Sequence, residues 1–144
     1  MNKWQQGFSE KMETLREQWG RQFDVLAEEM IGPVFAEFGE FVHQWDIQAS
    51  TPQTQSAVRT FKFGLAEDAY VLVFFRSKGL DTVQWLYEYV VPGKGTGKSK
   101  VSETIIREVT RKWAEDCFQS ALDDFVAKLA EAEHAKEPAE PVLV

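Results

Sequence analysis

Trp4, Phe8, Met12, Leu15, Trp19, Phe23, Leu26 and Met30 follow one another at spacings of four, four, three, four, four, three and four. At 3.6 residues per turn, these spacings hold the eight side chains on one stripe about 100° wide, so the segment predicts a single long amphipathic helix. Gly32 and Pro33 are expected to end it, because proline has no amide hydrogen and disfavours helical geometry in the residue before it. Pro33 then opens a short second helix with Val34, Phe35, Phe38, Phe41 and Val42 on its apolar face, and the chain bends between the two. A helix running to about residue 31 is roughly 43 Å long at 1.5 Å per residue, against roughly 27 Å for the strands of about eight residues that follow. A helix that outreaches its own sheet leaves apolar surface for a partner. Trp4, Phe8, Met12, Trp19 and Phe23 are therefore the candidate interface residues.

After Val42 the period falls from 3.6 to 2. His43, Trp45, Ile47 and Ala49 alternate with Gln44, Asp46 and Gln48, which predicts a half-exposed first strand, and Ser50 to Ser56 with Pro52 reads as a loop. A second strand is predicted over Val58 to Leu65. Ala69 to Arg76, apolar at successive positions, reads as a central strand covered on both faces. The fourth strand spans Thr82 to Val91. Short turns between these segments imply antiparallel pairing in the order 1-2-3-4, because parallel pairing needs a crossover of a dozen or more residues. Beyond the loop Pro92 to Lys100, Ile105, Val109, Trp113, Cys117, Ala121, Phe125 and Leu129 recur at every fourth position, predicting a helix from Val101 to about Ala135. Ile106, Phe118, Leu122 and Val126 widen its apolar stripe enough to touch two neighbours. The expected fold is α+β: a long N-terminal helix, a short helix, a four-stranded antiparallel meander and a long C-terminal helix packed on the sheet. Residues 1–135 form one domain in this reading and 136–144 a mobile tail.

The 144 residues carry a net charge of −7, unevenly distributed. Residues 1–45 hold four basic and eight acidic groups, residues 46–100 seven and five, and residues 101–144 five and ten. Acidic helices argue against nucleic acid, which demands a concentrated basic face, and against an anionic membrane surface, which demands Lys and Arg on the polar side of an amphipathic helix. On the first helix that side presents Glu10, Glu13, Glu17, Asp24 and Glu28. The longest apolar run, Ala69 to Phe75, is far short of the roughly 20 residues that span a bilayer. Lys3 is followed by Trp4, Gln5, Gln6 and Gly7, which is not a signal-peptide core. A lone Cys117 forms no internal disulfide and suits a reducing, cytoplasmic location.

Candidate chemistry is sparse. Pro92-Gly93-Lys94-Gly95-Thr96-Gly97-Lys98-Ser99 resembles the phosphate-cradling loop G-x-x-x-x-G-K-[ST], with Pro92 where the first glycine belongs. That loop works beside a parallel sheet whose later strand supplies an Asp, and no strand is expected after Ser99, so the string reads instead as a basic turn. Its Lys94, Lys98 and Lys100 form the one basic cluster, able to meet an acidic partner. Cys117 on a buried ladder reads as an inert thiol, His43 and His134 have no companions for catalysis, and no metal-ligand spacing occurs. Glu88, in a strand, is expected to pair with Arg59 or Arg76 if covered. Trp85, Tyr87 and Tyr89 share one strand face and are the candidate groove residues, against the simpler reading of core beneath a helix. The terminal Val142-Leu143-Val144 resembles a peptide that adds to a sheet edge. The expected function is a non-enzymatic interaction or structural module, homodimeric through its helices, with no cofactor. The alternative is a binding domain for a small hydrophobic ligand or extended peptide. Size, acidity and a helix-flanked sheet are similar to those of small dimeric secretion chaperones, a likeness of class with no motif behind it.

Overall fold

A computed structural model describes residues 2–136. Residues 137–144, which hold most of the expected tail and its terminal Val142-Leu143-Val144, lie outside the described residues. Helix α1 spans Lys3–Leu26 and is opened by a reciprocal cap: Asn2 Oδ1 accepts the Gln5 N–H at 2.8 Å, and Gln5 Oε1 accepts the Asn2 N–H at 3.1 Å. The helical run does not stop at Gly32–Pro33 as expected. One π-helical turn, Ala27–Ile31, leads directly into α2, Gly32–Val42, and a 3₁₀ turn, His43–Trp45, follows. The Gly32 N–H reaches back to the Ala27 carbonyl, a 5-residue step, and the dihedrals of Leu26, Ala27, Ile31 and Gly32 are all right-handed helical. The wide turn lets Pro33 enter at the first positions of α2, where its missing N–H costs nothing, so proline interrupts the hydrogen-bond register and not the helix. Asp46, in the left-handed region at φ 61°, ends the run.

Among the described residues the sheet has six strands where four were expected: β1 Gln48–Gln55, β2 Val58–Ala66, β3 Ala69–Gly79, β4 Thr82–Val91, β5 Gly95–Lys98 and β6 Ser102–Ile105. All pairs are antiparallel in the order β1-β2-β3-β4-β5, and β6 also pairs with β4. Three expectations fail here. The first strand lies later than its alternation suggested and runs through the polar segment read as a loop. Pro52 is tolerated because it sits at a register shift between Ser50 and Gln53 on an edge strand, where no ladder bond is required of it. The Gly-rich string forms β5 and not a loop opening a helix, with Gly97 opposite Tyr89 and the tyrosine ring occupying the space a side chain at Gly97 would need. Finally, the segment from Val101 is not helical. Residues 102–105 pair with β4, a 3₁₀ turn Ile106–Glu108 follows, and α3 spans Arg111–Lys136 once the Thr110 hydroxyl has accepted the Trp113 N–H at 3.1 Å.

The three helices pack on one face of the sheet. Phe118 of α3 is fully buried among Phe35 of α2, Phe61 and Phe63 of β2 and Phe75 of β3, its ring centroid 5.6 to 6.1 Å from theirs. α2 approaches β1 so closely that a Cβ on Gly39 would lie 2.7 Å from that of Ala49. The opposite face carries Tyr70, Leu72, Phe74, Leu86 and Val90, each half-buried by strand neighbours. Among the described residues β3 is thus covered by helices on one side only, contrary to expectation.

Candidate interaction surfaces

α1 is anchored at its C-terminal end. Asp24 accepts the Ala57 N–H at 2.8 Å, the Ser56 hydroxyl at 3.0 Å and Arg59 Nη1 at 3.2 Å, clamping the helix to the β1–β2 turn, where Ala57 holds a left-handed φ of 67°. Asp24, read from sequence as part of the solvated polar face, is half-buried and holds the guanidinium of buried Arg59. Arg59 also stands 6.0 Å from the Phe23 ring. No sequence signal joins positions 24 and 59, because only the packing of helix on turn brings them together.

Toward the N-terminus the same stripe loses its cover. Phe23 is 0% exposed and Trp19 lies against Gly79, its ring 3.6 Å from where a Cβ would stand, but Phe8 is 51% and Trp4 71% exposed. Leu15 is exposed and Met12 half-buried. Trp4 and Phe8 stack on each other, centroids 5.3 Å apart and planes inclined by 20°. The buried residues of α1, Gly20 and Phe23, both lie in its last two turns.

A second apolar surface is a groove of about 610 Å³ between α2, α3 and the ends of β1 and β2, lined by Phe38, Phe41, Trp45, Leu65, Leu122 and Val126 among others. Phe41 and Trp45, 61% and 56% exposed, meet edge to face at 5.3 Å. Sequence reasoning missed this groove by assigning Trp45 to a strand. Phe38, Phe41 and Trp45, at spacings of three and four, continue the helical period and carried the signal.

The aromatic row of β4 faces α3. Trp85 meets Trp113 edge to face at 6.4 Å and stacks near Phe75, and Tyr87 donates to Asp124 Oδ2 at 3.0 Å. Burial, and then Asp124, push the Tyr87 phenol up to about 12. Trp85, Tyr87 and Tyr89 are half-buried against the core. On the outer sheet face a shallow depression of about 420 Å³ lies between Phe74, Leu86, Arg76, Glu88 and Lys98. Arg76 donates to Gln84, and Glu88 pairs with Lys98 at 3.7 Å, so neither arginine named for Glu88 holds it.

The basic cluster is engaged within the chain. Lys94 bonds Glu131 of α3 at 3.0 Å and Lys98 faces Glu88, while Lys100 is exposed. Cys117 is buried, and burial raises its thiol above the ordinary range. Among the described residues no group of three or more His, Cys, Asp or Glu side chains converges on a metal-sized site, and no helix is long and apolar enough to cross a membrane. No protein-family model, curated protein or solved structure matches the chain.

Proposed function

We propose that this chain is a non-enzymatic interaction module of the cytoplasm whose principal partner is a second copy of itself, met through the N-terminal half of α1. The observation that carries the reading is the stacked, solvent-facing pair Trp4–Phe8 at the head of a stripe that becomes core only at Phe23. Large aromatics aligned on one helix face lose hydration at little conformational cost when covered, which makes them effective anchors. The buried thiol of Cys117 suits a reducing compartment.

Light scattering of the full chain at micromolar concentration is expected to give about twice the 16.5 kDa chain mass. Trp4→Asp and Phe8→Asp should return the single-chain mass with an unchanged far-ultraviolet circular dichroism spectrum, since neither ring belongs to the core. A stable monomer for the unmodified chain refutes the proposal. A second reading, a binding domain for a small hydrophobic ligand or extended peptide, draws on the groove beside Phe41 and Trp45, whose size falls in the range of small-molecule sites. Native mass spectrometry of the purified chain would reveal such a ligand as a mass adduct.

A further inference from the structure

Phe41 and Trp45 end the same helical run that Trp4 begins. From Lys3 to Trp45 the chain is one helical run, with roughly 55 Å of helix between Trp4 and Phe41 at 1.5 Å per residue, and both rings are exposed. The stripe and the groove of one molecule do not cover each other. Between two molecules they can, and they match in kind: the stripe is convex, with anchors at Trp4, Phe8 and Met12 one helical step apart, and the groove is concave and apolar.

We infer that the α2–α3 groove of each copy receives the Trp4–Phe8 end of α1 from the other, closing the dimer through two reciprocal helix-in-groove contacts. This rests on the dimeric reading above and specifies how it is built. Both surfaces add to the interface. At 150–250 Å² for a whole aromatic ring, the bare part of the stripe offers roughly 400 Å² of apolar surface per copy, toward the about 800 Å² of apolar and polar surface together that each partner buries in a stable interface. The exposed rings of Phe41 and Trp45, with Leu65 and Val126, extend the apolar surface available when the groove is used as well. Charge agrees. The one ionic group lining the groove is Asp123, and Glu40 and Asp46 adjoin its aromatic pair, whereas Lys11, three residues beyond Phe8 and seven beyond Trp4, shares their face of the incoming helix, with Glu10 and Glu13 turned away from it. Equal numbers of grooves and helices on each chain let a two-fold arrangement satisfy both without leaving a sticky end.

The test compares Phe41→Asp with Trp4→Asp and adds the paired variant Phe8→Cys/Val126→Cys. All four positions are exposed and Cys117 is buried, so the fold is retained and the new thiols alone react. Phe41→Asp is expected to weaken dimerisation at least about tenfold, as Trp4→Asp does, by analytical ultracentrifugation. Under mild oxidation the paired variant should form a covalent dimer that neither single cysteine variant forms. A wild-type dimer constant for Phe41→Asp, together with cross-linking of Phe8→Cys alone, means that α1 pairs with α1; it overturns this arrangement and leaves the dimer standing. A monomeric unmodified chain overturns both. A small apolar adduct in native mass spectrometry that Phe41→Asp abolishes without changing the oligomeric mass also overturns it, the groove then belonging to a ligand.

Discussion

Two halves of one helix carry the same spacing of apolar residues. In the C-terminal half of α1, Phe23 is sealed by the sheet and Asp24 is locked to the β1–β2 turn; in the N-terminal half, Trp4 and Phe8 stack on each other in solvent. Periodicity is a local property of the chain, and it reports which side chains share a face. Whether that face is covered depends on where the sheet stops. β3, at eleven residues and roughly 36 Å, is too short to underlie a helical run of roughly 60 Å. The surplus helix is the part that holds Trp4 and Phe8 in solvent.

The comparison breaks most visibly at Phe23. Truncating it to Ala is expected to cost about 3 to 5 kcal/mol in urea unfolding, since burial is lost and a cavity remains, whereas Phe8→Ala at a concentration where the chain is monomeric should change the midpoint by under about 0.5 kcal/mol. Comparable losses at the two positions would mean that the N-terminal half is covered within its own chain.

Asp24→Ala comes next, because it strips the Ala57 N–H and Arg59 of an acceptor at the point where the covered half is fastened. Arg59 keeps the Gln55 and Val58 carbonyls, so the expected loss is about 2 kcal/mol and not the full cost of a stranded buried charge. Amide hydrogen exchange should then rise in α1 ahead of the strands.

The smallest effect sharpens the covered side of the sheet, where Tyr87 meets Asp124. Its folded value, about 12, lies above the ordinary 10.0, so the fold favours the neutral phenol. That contribution is complete below pH 10 and is lost as the pH climbs through about 12. Between pH about 9 and about 11.5, the unmodified chain should lose more of its urea midpoint than Tyr87→Phe, by a few tenths of a kcal/mol after allowance for solvent.

Much of this architecture was legible along the chain because it follows from short-range pattern. The α1 stripe, the alternation of β2 and β4 and the four-residue ladder of α3 each state a period, and a period is enough to choose helix or strand. The antiparallel order followed from turns too short for a crossover. Local rules failed where another segment overrode them. Pro33 ought to stop a helix, and a single π-helical turn carried the run through it. Gln48–Gln55 has no apolar face and became a strand because β2 offered it an edge. The Gly-rich string looked like a phosphate loop, and β4 took it as a hairpin partner. The surfaces on which the proposed function rests follow the same division. The sequence by itself determined that Trp4, Phe8, Met12 and Trp19 share one face, since that depends only on the helical repeat. Only the tertiary structure decided that this face is bare at one end, that Phe41 and Trp45 border a groove, and that Asp24 holds Arg59, since each joins residues that nothing but packing brings together.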